Sequence, residues 1–144
     1  MSAPASAAGA RRRTHRLFDV ALFVWGTAAA TTLVTNGIND ARRAGGWPRA
    51  LELTYLAAVI VAVPALLLAG WAKARLTRLG AVLADERTAA SHTRSMAVAL
   101  VGVTCVQLPF LFRVETPSVA QAKFTLAAAL LSYGVARLWF NRDA

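Results

Sequence analysis

The chain has 144 residues, of which 57% are hydrophobic and 16% are charged, whereas ordinary soluble domains are about 45–50% apolar and about 25% charged. A soluble protein of this size needs more polar surface to cover its core, so the composition excludes an ordinary soluble domain and predicts a lipid environment. The net charge of +9 would suit nucleic acid, but the basic residues cluster beside apolar segments. Anionic lipid headgroups explain them there, and we expect no nucleic acid partner.

The first sixteen residues are rich in Ala, Ser and Arg and contain no acid. This composition predicts a disordered basic tail over residues 1–16. A cleaved signal or transit peptide is the alternative interpretation. Asp19 interrupts the apolar run that follows, and the apolar character continues through Val34, so we expect the first helix to be retained.

Four mostly apolar segments follow, and each has about the 20 residues that a helix needs to cross a bilayer. They cover residues 17–37, 51–71, 95–112 and 117–140. A backbone in lipid must be helical or form a closed barrel, and no strand-like alternation competes. The sequence therefore predicts an all-α polytopic membrane protein, a bundle of four transmembrane helices over residues 17–144, with a hairpin over residues 72–94.

The first segment carries the most polar groups. Asp19, Thr27, Thr31 and Thr35 belong to one series with a spacing of four residues, which places them on one helical face. They form a candidate polar track, with Asp19 as an ionisable group at its mouth. Alternatively, the Thr hydroxyls bond back to carbonyls of the preceding turn, and Asp19 simply lies near the headgroups.

Small residues at a spacing of four let transmembrane helices approach closely. Gly26 and Ala30 have this spacing in the first segment, as do Ala128, Ser132 and Ala136 in the fourth. These five are the candidate helix-packing residues. Gln107 and Gln121, in the third and fourth segments, would hydrogen-bond if their helices face each other.

The polar stretch between the second and third segments contains Asp85, Glu86, Arg87 and His92. Asp85 suits a helix N-cap, and Glu86 then lies in a first turn, where the helix dipole favours a negative charge. The spacing of Asp85, Glu86 and His92 matches no standard metal motif. There is also no GxSxG or other nucleophile motif. We predict no catalytic residue, no metal and no cofactor.

The same stretch carries a family resemblance. The motif DERT at residues 85–88, followed by the apolar run SMAVAL at residues 95–100, resembles small uncharacterised prokaryotic four-helix membrane proteins of the DUF2178 type. In those families an acidic-acidic-Arg motif precedes the third helix. The resemblance implies a topology and no particular reaction.

The distribution of Lys and Arg predicts the orientation, because positive charges accumulate on the cytoplasmic side. Eleven of the sixteen basic residues fall in the N-terminal tail, the 72–94 hairpin and the C-terminal end. Both termini should therefore be cytoplasmic. We expect the bacterial inner (plasma) membrane.

The function that these observations favour is a non-catalytic accessory or scaffolding subunit. It would act through helix–helix or lipid contacts, as a homo-oligomer or with another membrane protein. Two alternatives remain at this point. One is a small transporter or channel component that uses the polar track. The other is a small membrane enzyme for a lipid-soluble substrate, with groups such as Asp19, Gln107 and Arg113.

Overall fold

The computed structural model describes residues 3–42, 46–78, 86–111 and 117–142. These ranges contain four helices: α1 (Ala3–Arg42), α2 (Arg49–Arg78), α3 (Glu86–Leu111) and α4 (Ser118–Phe140). All four are long and apolar enough to cross a membrane. The predicted all-α class with four candidate spans is confirmed, and the fold is compatible with an integral membrane protein.

The N-terminal segment differs from the prediction of a disordered tail, because α1 is already helical from Ala3. Ala and Arg, which dominate this segment, are among the strongest helix formers. The segment also continues directly into the apolar run, so the helix needs no separate nucleation here. Thr14 is buried, and its hydroxyl donates to the Ala10 carbonyl at 2.9 Å.

The helices are arranged as an open row. Helix α1 packs against α2 and α4, and α4 packs against α3. Within the described ranges α2 and α3 do not pack against each other, so the order is α2–α1–α4–α3 and no closed ring forms. The row leaves α2 and α3 with one neighbour each.

Small side chains make the helix contacts, and large apolar ones point outward. Twelve hydrophobic residues are buried in the part of the chain whose burial the structure describes; eleven are alanines and the other is Leu76. Ile60, Leu67 and Leu100 are each about 70% exposed. In lipid, where helices gain little from burying apolar surface, association depends on close packing of small residues. The distribution of residue sizes therefore fits a protein whose outer surface meets hydrocarbon.

Neighbouring helices run antiparallel, as side-chain contacts show at both ends of α4. Near its end, Arg137 meets Asp19 of α1, and near its start Lys123 meets Asp40 of the same helix. We call the end that holds the start of α1 and the end of α4 the terminal end. The opposite end, where α1 ends and α4 begins, is the loop end.

Candidate functional site

A buried ion pair joins α1 to α4 at the terminal end. Arg137 Nε donates to Asp19 Oδ1 at 2.8 Å, and the two side chains are only 14% and 11% exposed. Asn141 Nδ2 donates to the second carboxylate oxygen, Oδ2, at 3.0 Å. Both oxygens of the carboxylate therefore have a donor, and its charge is matched by a guanidinium, as burial away from water requires.

The hydrogen bonds continue from this pair to α3. Arg137 Nη1 donates to the Tyr133 hydroxyl at 2.9 Å. The same hydroxyl forms a hydrogen bond with His92 Nδ1, which lies 2.8 Å away. Ser91 Oγ donates to Asn141 Oδ1 at 2.6 Å. The network therefore links α1, α3 and α4 at the terminal end.

The hydrogen bonds of this network connect α1, α3 and α4 to one another. A Ser–His nucleophile needs the two side chains in contact, but Ser91 is hydrogen-bonded to Asn141 and His92 to Tyr133. A guanidinium also lies over an aromatic ring, with Arg137 Cζ 5.4 Å from the centroid of Phe18. In a medium of low polarity, such a satisfied polar network fixes the register of the helices that it joins.

A second polar cluster lies at the loop end. Lys123 Nζ pairs with Asp40 Oδ2 at 2.6 Å. Gln121 Nε2 donates to Gln107 Oε1 at 2.7 Å, and Gln107 Nε2 donates to the Thr125 hydroxyl. Helices α3 and α4 face each other here, which is the condition under which the sequence predicts a hydrogen bond between Gln107 and Gln121. Helices α1 and α3 are thus each tied to α4 near both ends.

The candidate polar track is divided between two sides of α1. Asp19 meets α4, whereas Thr27 and Thr31 line an apolar cavity of about 360 Å³ between α1 and α2. Each step of four residues overshoots a full turn by about 40°, so the series winds around the helix. Among the described residues, the buried Thr27 hydroxyl has no hydrogen-bond partner. Thr31 and Thr35 donate to the Thr27 and Thr31 carbonyls at 2.9 and 3.0 Å.

The candidate packing residues lie in contacts within the chain. A side chain at Gly26 would begin 3.7 Å from the Leu130 carbonyl oxygen, and Gly102 of α3 lies directly against Ser132. The carbonyl of Ala128 lies beside the same glycine. Ala30 and Ala136 are buried. These stripes hold α1 and α3 against α4, so self-association would need another surface.

The hairpin motif is only partly described. Asp85 and its N-cap role lie outside the described residues, and Glu86 and Arg87 are the first two residues of α3. The position of Glu86 agrees with the first turn expected for it. In the described part of the chain, no group of three or more His, Cys, Asp or Glu side chains could hold a metal ion.

Comparisons of the chain with protein-family models, curated proteins and solved structures found no match. The resemblance at residues 85–88 stays a prediction.

The network at the terminal end is the feature that the sequence did not reveal. The sequence marks Asp19 as an ionisable group in the first segment, but Arg137 counts there only among the basic residues of the C-terminal end. The two positions are 118 residues apart. The available signal was that both are ionisable residues at the margin of an apolar segment on the same predicted side, where charges in membrane proteins commonly pair.

Proposed function

We propose that the protein is a scaffolding subunit of a bacterial inner membrane, inserted with both termini in the cytoplasm, which self-associates through α2. The orientation is supported by the eleven Lys and Arg residues on the terminal side against five on the other. The scaffold role is supported by the open row, which leaves the outer face of an end helix without a neighbour among the described residues.

The exposed face of α2 is the observation that carries this proposal. The side of the helix that meets α1 is a stripe of Ala58, Ala65, Ala69 and Ala72, ending at Leu76. The opposite side repeats exposed residues at alternating spacings of three and four. We call this set the α2 seam, and it consists of Leu53, Leu56, Ile60, Val63, Leu67, Gly70 and Ala74.

A second copy of the same chain suits the α2 seam best. Apolar residues that alternate at three and four over about three heptads form the contact stripe of a left-handed helix pair. Such a stripe can pack against itself across a two-fold axis, because each residue then meets its own equivalents. The seam ends in Gly70 and Ala74, which allow close approach towards the terminal end.

The mass of the native particle tests self-association. The full chain in a mild detergent should form a particle that contains at least two 15.3 kDa chains. Replacing Val63 and Leu67 with alanine should weaken association by about tenfold or more, since packing contacts are lost at two central positions of the seam. Light scattering over a range of protein concentrations in detergent measures this change.

Leu126→Ala with Val135→Ala is the matched control, because these α4 residues are similarly exposed but lie outside the seam. It should leave association unchanged. A strictly monomeric particle with no co-purifying protein would contradict the scaffold function. A stable complex with a different membrane protein would refute self-association alone.

The transport and enzyme alternatives have less support. A polar path along α1 needs its hydroxyls free to meet a solute, but those of Thr31 and Thr35 donate to their own helix. A site that combines Asp19 with Gln107 would need the two side chains close together. Asp19 lies at the terminal end, however, and Gln107 lies at the loop end. Arg113 lies outside the described residues.

A further inference from the structure

A basic cavity of about 460 Å³ lies between the first turns of α1 and the end of α4. Its lining includes Arg12, Arg13, Arg16 and Arg142, with His15 beside them. We call it the arginine cavity. Its volume falls within the range of about 300–1,000 Å³ that is common for small-molecule sites.

Most of the charged residues that the structure describes in the lining of the arginine cavity are basic. Asp19 is the acid among them, and its carboxylate is paired with Arg137 and Asn141. The guanidinium groups of Arg13 and Arg16 lie together in this lining. Such groups favour an anion, because their planar donors fit the oxygens of a phosphate group.

The position of the cavity adds an apolar component. It lies directly before Leu17, where the first apolar run begins, and its lining also includes Val20 and Leu138. Beside it, the Arg142 guanidinium lies 4.2 Å from the ring centroid of Trp139, which is largely exposed. Tryptophan and snorkelling arginine side chains are typical of the headgroup level of a membrane.

We propose that the arginine cavity binds the phosphate group of an anionic glycerophospholipid. The guanidinium groups hold the phosphate, and Val20 and Leu138 contact the start of the acyl chains. A zwitterionic lipid has the same phosphate, but its ammonium group is repelled by the cluster. Free inorganic phosphate has the negative charge but no acyl chains that could contact Val20 and Leu138. The inference requires membrane insertion and is independent of self-association.

Native mass spectrometry of the full chain tests the proposal. The chain in neutral detergent is offered equal amounts of phosphatidylglycerol and phosphatidylcholine. We expect one phosphatidylglycerol per chain to be retained, with a preference of about tenfold or more over phosphatidylcholine. Excess inorganic phosphate should not displace it.

Arg13→Gln with Arg16→Gln should lower the retention of phosphatidylglycerol by about tenfold. The matched control is Arg75→Gln with Arg78→Gln, which removes the same charge from the same end of the row, on α2 and outside the cavity lining. That control should retain the lipid. If the first variant does not fold, Arg13→Lys with Arg16→Lys preserves the charge and should still weaken retention, because lysine lacks the fork geometry.

Three outcomes would overturn the proposal. Equal retention of the two lipids would show that the cavity does not select an anionic lipid. An equal loss of phosphatidylglycerol in both glutamine variants would show a general effect of charge. Displacement by inorganic phosphate would identify a phosphate site without lipid specificity. The same spectra report the number of chains in the particle, so loss of the lipid and loss of self-association are read separately.

Discussion

Replacing Arg137 with glutamine is expected to destabilise the protein by about 3–5 kcal/mol, because the change leaves the buried Asp19 carboxylate without its counter-charge. The pair is almost enclosed, with side chains 14% and 11% exposed. Asn141 Nδ2 would still donate to the carboxylate, and the arginines of the arginine cavity line the same space, so the loss should fall at the lower end of this range. The measurement is the free energy of unfolding in mixed micelles, as the mole fraction of a denaturing detergent is raised.

Two comparisons separate this charge effect from a general loss of packing. Arg137→Gln combined with Asp19→Asn should recover much of the lost stability, since no unpaired charge remains. Lys123→Gln breaks the loop-end pair, whose side chains are 26% and 31% exposed, and should cost about 1 kcal/mol or less. A single Arg137→Gln variant as stable as the parent would show that the pair does not hold α1 to α4.

Gly102→Ala should be the second most damaging of these substitutions. The new Cβ would lie 2.9 Å from the Ser132 Cβ, which is closer than two carbon atoms can pack. Relief requires α3 to move away from α4, and overpacking of this kind costs about 1–3 kcal/mol. The same unfolding measurement in mixed micelles detects the change.

Ser132→Gly tests the cause, because it removes both atoms that the new methyl group would meet. The double variant should be more stable than the sum of the two single changes predicts, by about 1 kcal/mol or more. Gly9→Ala is the control, since a methyl group there meets no atom within 4 Å. It should be neutral or slightly stabilising. A Gly102→Ala variant as stable as the Gly9→Ala control would mean that α3 and α4 do not pack closely.

The sequence predicts the helices well because the length and apolar character of a span are local properties. Each of the four apolar segments lies almost wholly within one helix of the structure. The sequence predicts a hydrogen bond between Gln107 and Gln121 only on the condition that their helices face each other, and the structure meets that condition. In lipid, such residues tend to find one another.

The arrangement of the helices was not accessible from one sequence. Nothing local distinguishes the open row from a closed bundle, because the alanine stripe of α2 and its seam are both apolar. Asp19 and Thr31 lie on different sides of α1 for a geometric reason. A spacing of four residues keeps neighbours together over one turn, but by Thr31 the series has rotated by about 120°. Asp19 therefore meets α4 while Thr31 faces α2.

The composition of the N-terminal segment predicts disorder because its hydrophobicity is low, whereas α1 begins at Ala3. The helix propensity of its alanines and arginines favours the opposite outcome once α1 supplies a nucleus. This difference matters for the arginine cavity. Arg12, Arg13 and Arg16 line one space because a helix brings residues three and four apart onto the same face.

The claim that hydrocarbon surrounds the outer faces of the helices is tested most directly by cysteine accessibility in native membranes. Cys105 is the single native cysteine and is exposed, so it is first replaced with alanine. Single cysteines are then placed at Leu66 and Leu100, which are exposed within the predicted spans, and at Thr77, which is exposed beyond them.

The membranes are opened so that a charged maleimide reaches both sides. We expect rapid labelling at position 77 and none at positions 66 and 100 until a denaturing detergent is added, because a thiolate does not form in hydrocarbon. Equal labelling rates at all three positions before denaturation would show that water surrounds these helices and would contradict the account.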